Sequence, residues 1–233
     1  MQPELQPIRT GIPAARDYSL PQQRVLRNTY WLLAVSLIPT AIGAAIGTNI
    51  NLGFMRTSPG LSFIVILAIF YGWIFAIERN RNSVLGVGLL LGFTLFMGLL
   101  LGPLFQFVLG FRNGIQLVMM AAGGTAAVFF GLAGLASSTQ RDFGFLTKFL
   151  AAGFIVIMLA IVANLFLASP VLQLALLGAI ILFSSAVILY QVNSIVRGGE
   201  TNYISATLTL YVSIYNLFST LLQLLGIFGG SRN

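Results

Sequence analysis

Long apolar runs separated by short polar breaks set the pattern of this chain. The charged residues mark the breaks, falling at Arg27, Arg56, Glu78–Arg81, Arg112, Arg141–Lys148, Arg197–Glu200 and Arg232. An α-helix needs about 20 apolar residues to cross the hydrocarbon core of a bilayer. Five of the uncharged intervals are long enough for one such helix. The interval from Lys148 to Arg197 is long enough for two, and Ser169-Pro170 breaks it near its middle. Proline removes a backbone donor and disfavours helix in the residue before it, a break best tolerated at the membrane interface. The predicted spans are therefore 28–48, 59–78, 83–109, 115–137, 147–168, 171–194 and 203–228. Runs such as LSFIVILAIFYGWIFAI are too long and too uniformly apolar for the alternating strands of a barrel. The fold class is an all-α, polytopic membrane bundle of seven helices.

Residues 1–27 are polar, contain Pro3, Pro7, Pro13 and Pro21, and read as a flexible cytosolic tail ahead of a transmembrane domain over 28–229. A signal peptide is the competing reading, with YWLLAVSLIP as its apolar core and small residues at 41–45. The continuation of the run to Asn49 favours a retained span. Lys and Arg set orientation. With the N-terminus inside, Arg9, Arg16, Arg24, Arg27, Arg79, Arg81, Arg141, Lys148 and Arg197 fall on the inner side and Arg56, Arg112 and Arg232 on the outer. The expectation is N-in, C-out; a last run that re-enters instead of spanning would bring the C-terminus inside.

Composition narrows the function classes. The chain is 58% hydrophobic and only 7% charged, against about 25% charged in soluble domains, so lipid is its natural solvent and a bilayer its first partner. The net charge of +7 comes from residues at span ends, and no basic face interleaved with aromatics suggests nucleic acid. There is no Cys and no His, which removes disulfides, thiol nucleophiles, His-dependent triads and the usual zinc and haem ligands. No cofactor or metal is expected, and no enzyme, since the usual intramembrane acid–base and nucleophile sets are missing. A Ser-Lys pair is all that remains, and Lys148 is the sole lysine.

Small residues four apart promote close helix approach in membranes. Such pairs occur at Gly43/Gly47, Gly88/Gly92 and Gly98/Gly102, with Gly123, Gly124, Gly131 and Gly134 in the fourth span. Internal packing is the plain reading and a homodimer interface the alternative. Gly102-Pro103 predicts a kink or helix end late in the third span.

Ionisable and polar residues inside the membrane are the main functional clues. All five carboxylates fall in the tail or at span ends: Glu4, Asp17, Glu78, Asp142 and Glu200. The seventh span carries a polar stripe, Thr209, Ser213, Asn216, Thr220 and Gln223, at spacings that share one helical face. Tyr211 and Tyr215 lie on a neighbouring face. With Gln191 in the sixth span and Asn164 in the fifth, these residues predict either interhelical hydrogen bonds or a wet cavity between the sixth and seventh helices. The link Arg197-Gly198-Gly199-Glu200 reads as a tight turn in which Arg197 and Glu200 pair, with Thr201 or Asn202 capping the last helix.

The segments VLRNTY (25–30), LGPL (101–104), GGTA (123–126), GGETNYI (198–204), LYVS (210–213) and Tyr215-Asn216 occur in order and at spacings that resemble the Bax inhibitor-1 family over about residues 24–229, most closely its bacterial branch of modulators of the FtsH protease. The resemblance implies a seven-helix fold with the last helix near the centre and a location in the bacterial inner membrane. It implies binding to the membrane-anchored protease, with the N-terminal tail as its handle. The alternative it implies is a calcium leak, held by two facing aspartates on the last two helices. Gln191 and Ser213 stand at the matching positions. Neither ionises at physiological pH, so a carboxylate latch is not expected.

Overall fold

The computed structural model describes residues 20–50, 58–139 and 141–230. Seven helices follow in order: α1 (Leu20–Gly47), α2 (Pro59–Arg79), α3 (Val84–Leu109), α4 (Gly114–Ser138), α5 (Leu146–Leu167), α6 (Pro170–Val196) and α7 (Tyr203–Gly229). All seven are long and apolar enough to span a membrane, as the hydropathy pattern predicts. Among the described residues there is no strand.

The ends follow local chemistry. Proline opens α2 and α6 at positions whose N–H would lack a helical partner in any case. Ser169 caps α6, accepting from the Leu172 amide, and Asn202 caps α7, accepting from the amides of Ile204 and Ser205 at 2.9 and 3.1 Å. One boundary departs from expectation: α1 begins at Leu20, not at residue 28. Pro21 fits a first turn, and no breaker follows it in QQRVLRN, so the helix continues past the apolar run that hydropathy detects. Arg24 and Arg27 are therefore helical; the rest of the expected tail, residues 1–19, lies outside the described residues.

The short links make the helices alternate in direction. Contacts fix two ends to the bundle: a near end with the start of α1 and the α2–α3, α4–α5 and α6–α7 links, and a far end with the end of α1, the α3–α4 link and the end of α7. At the far end Gln106 donates to the Thr48 carbonyl at 2.8 Å and Asn113 to that of Gly229 at 2.7 Å. The last helix is the hub. It packs against α1, α2, α3, α4 and α6, whereas α5 packs chiefly on α6. Phe93, Leu210, Tyr211 and Leu217 form part of the buried core around it.

The tightest helix contact joins α1 to α3, and glycine makes it. A Cβ on Gly98 would strike the Thr40 carbonyl, one on Gly43 that of Leu95, one on Gly47 that of Leu99, and one on Gly102 that of Gly47. Gly43/Gly47 and Gly98/Gly102 thus interleave, backbone on backbone, giving the internal packing expected of them. Gly88/Gly92 does not behave alike: Gly88 faces open space and Gly92 receives the Trp73 ring. Pro103 neither ends α3 nor stands apart from this seam. Lacking an N–H, it leaves the carbonyl four residues earlier, Leu99, without its helical donor, and that carbonyl faces Gly47.

Candidate functional site

The hub helix presents two opposite faces. At about 100° per residue, Thr209, Ser213, Asn216, Thr220 and Gln223 share one face, and Tyr211, Ile214, Tyr215 and Phe218 the other, so the two tyrosines stand opposite the polar stripe and not on a face beside it. The cavity lies on the second. Its volume is about 580 Å3, its walls are α1 and α4, its base is this face of α7, and Leu101 and Phe105 of α3 close one side. The walls do not pack on each other along their lengths. Small residues line them, Ala34, Ala41 and Ala44 on α1 and Ala122 and Ala126 on α4. The rim opens sideways, with Leu37 50% and Phe130 70% exposed. Near one end Tyr30 and Phe129 meet edge to face at 6.0 Å; toward the other, Phe105 and Phe218 lie 6.2 Å apart.

The lining is apolar apart from hydroxyls, several of which are bonded within the protein. Thr125 donates to the Ala121 carbonyl at 2.7 Å and Thr40 to the Ser36 carbonyl at 2.8 Å. The Tyr211 hydroxyl lies 2.8 Å from Thr40 Oγ1 and 3.3 Å from the Thr94 carbonyl, tying α7 to α1 and α3 at once. One turn nearer the start of α7, Thr207 donates to the Tyr203 carbonyl at 2.6 Å and reaches the Thr29 carbonyl of α1 at 3.3 Å. Such a crevice offers dispersion and burial to an apolar guest; it holds no charged group for an ion.

The sequence-predicted residues lie elsewhere. Gln191, Ser213, Asn216, Thr209 and Asn164 do not line this cavity. Ser213 is buried and donates to the carbonyl of Thr209 at 2.8 Å, within its own helix. Gln191 is buried and its amide nitrogen has no hydrogen-bond partner among the described residues. Asn216 and Thr209 are half-buried. Asn164 belongs to the α5–α6 turn. Its side chain donates to Gln173 at 2.9 Å and accepts from the Ser169 amide at 3.1 Å, steadying Ala168 at a left-handed φ of 46°. The residues that sequence reasoning missed are Thr40, Thr94 and Thr207. Their partners come from distant helices, and no local spacing announces them; the Tyr211/Tyr215 pair was the available signal.

The near end gathers the loop motif into a lattice. Gly198 takes a φ of 78°, which suits glycine. Arg197 does not pair with Glu200: its Nε lies 3.9 Å from Asp142 of the α4–α5 link, and Glu200 instead accepts from the Asn202 amide at 2.8 Å. Asn202 donates to the Arg81 carbonyl and to Asn82, at 2.9 and 2.8 Å, and Ser205 donates to Glu78 at 2.9 Å. Buried Asn193 donates to the carbonyls of Ala136 and Arg141 at 3.4 and 3.3 Å and accepts from the Phe143 amide at 3.4 Å. Three links are thereby tied at one end.

Seven apolar helices, five of them packed against the last, define a polytopic integral membrane protein. Residues 22–230 match the family model described as inhibitor of apoptosis-promoting Bax1, and the chain belongs to this Bax inhibitor-1 family. It is 44% identical over 210 residues to an uncharacterized Neisseria meningitidis protein, covering 89% of this chain and 92% of that one. It is 42% identical over 230 residues to an uncharacterized Pseudomonas aeruginosa protein, covering 99% of each. It is also 42% identical over 211 residues to the Escherichia coli modulator of FtsH protease YccA, covering 91% of this chain and 93% of that one; the same relative from a second strain is named inner membrane protein YccA. The chain is a bacterial inner-membrane protein.

Proposed function

We propose that this chain is a regulatory, non-enzymatic membrane protein that binds the membrane-anchored protease FtsH and modulates its degradation of membrane substrates. One observation carries the reading: 42% identity to a modulator of that protease, extended over nearly the whole of both chains. The orientation that suits it is N-in. Among the described residues Arg24, Arg27, Arg79, Arg81, Arg141, Lys148 and Arg197 belong to the near end, whereas Arg112 alone belongs to the far end. The tied near-end links would then form a stiff cytosolic surface for the protease to meet. The calcium-leak alternative has less support, since Gln191 and Ser213 carry no charge and the Ser213 hydroxyl is engaged by its own helix.

Co-purification from detergent is the direct test. FtsH is expected to be retained on the tagged chain, and turnover of a membrane substrate to slow when the chain is overproduced. No association together with unchanged turnover overturns the reading.

A further inference from the structure

We propose that the crevice between α1 and α4 is a binding site for one acyl chain of an anionic phospholipid, whose phosphate is held by Arg27. This does not depend on the protease reading.

Shape gives the first argument. From Tyr30 to Ala44 the α1 wall rises about 21 Å at 1.5 Å per residue, enough for a chain from one leaflet, which spans roughly 15 Å of a 30 Å hydrocarbon core. The volume, about 580 Å3, lies in the range of about 300–1,000 Å3 typical of single-ligand sites. A partner's transmembrane helix fits less well: a rod crossing the membrane between α1 and α4 would have to part the Tyr30–Phe129 pair that bridges them near one end. An acyl chain enters over the exposed rim of Leu37 and Phe130 and stops inside.

Charge gives the second. The α1 residues that line the crevice include Tyr30, Ala34, Leu37, Ala41 and Ala44, a repeat of three and four that extends back one turn to Arg27. Arg27 is exposed, and no carboxylate among the described residues lies within ion-pair distance of it or of Arg24 on the preceding turn. A guanidinium one helical turn beyond an apolar slot, on the stripe that lines it, suits a phosphodiester, which it binds through paired N–H groups. A tyrosine one turn deeper suits the interface beneath it.

Native mass spectrometry of the full chain in detergent, titrated with dioleoyl phosphatidylglycerol or dioleoyl phosphatidylcholine, tests this. The first phosphatidylglycerol is expected to bind about fivefold tighter than phosphatidylcholine, the worth of one basic residue at a membrane surface. Arg27→Gln should erase that preference. Ala126→Phe, which fills the crevice, should weaken both lipids about tenfold or more by displacing the buried chain, while Val156→Phe on the exposed face of α5 should change nothing. Should Ala126→Phe not fold, phosphatidylglycerol with a photoreactive chain, applied to the unaltered protein, is expected to label Ala34, Ala41 and Ala126 above the α5 surface. Equal binding of the two lipids, labelling spread evenly over α5, or lipid binding unaffected by a folded Ala126→Phe overturns the proposal. So does loss of FtsH co-purification with lipid binding intact in that variant, which would give the crevice to a protein helix.

Discussion

Tyr211 joins three helices: its hydroxyl meets α1 through Thr40 and α3 through Thr94, and its ring stands 6.0 Å from Phe93. Tyr211→Phe removes the hydroxyl and leaves the ring. Polar contacts between membrane helices contribute about 0.6 kcal/mol on average and about 1.7 at most, so a loss near the upper figure is expected, read as a lowered melting temperature in detergent. Thr40→Val should cost a similar amount, and the double variant less than the sum of the two, because both remove one interaction. A change in the opposite direction is expected at Ala168. An L-residue in left-handed geometry is strained by roughly 1–2 kcal/mol, so Ala168→Gly should raise the melting temperature.

At the scale of elements, the α1–α3 seam separates glycines that look equivalent in sequence. Gly98→Ala and Gly102→Ala place a methyl against backbone that cannot rotate aside, and a destabilisation of about 1–3 kcal/mol is expected. Gly88→Ala and Gly131→Ala meet nothing within 4 Å and should be neutral, or stabilising by up to about 1 kcal/mol of helix propensity. Unfolding of the four variants side by side checks this; equal losses at all four would mean that the seam is not where the structure puts it. The same contrast shows what the sequence makes legible. Hydropathy and proline placement locate seven helices because the membrane imposes a length on each. The spacing of glycines announces close approach but not its partner, since GLLLG reads alike at 88–92 and 98–102. The eight additional residues of α1 escape a hydropathy reading because nothing about a polar helical turn is apolar. Residues on the stripe of α7 are legible as polar and co-facial, but the crevice opens behind them, on a face of aromatics and Ile214 that, like the alanines of α1 and α4 across from it, looks like ordinary core.

For the whole molecule, the cross-ties differ from end to end and from centre to edge. The near end is laced by Asn193, Asn202 and Glu78, whereas α5 is attached mainly through α6. With no carboxylate at 191 or 213, liposomes holding the chain and a calcium-sensitive dye are expected to show no calcium flux that switches between pH 6 and pH 8; a pH-gated signal would overturn the expectation that no carboxylate latch operates between these positions. On the proposed protease reading, the near end would serve as a surface that stays put rather than a gate that opens.

Of the seven helices, the one at the hub is the last to leave the ribosome. Its most apolar window has a mean hydropathy of 1.5, the lowest of the seven, against 2.7 for α5. Until it arrives, α1, α2, α3, α4 and α6 have inserted without the element that most of them were shaped to surround. The seven-helix bundle is therefore completed by its least greasy member, which trades lipid for a slot already prepared by its predecessors, and any nascent product stopped short of residue 203 is a ring without an axle.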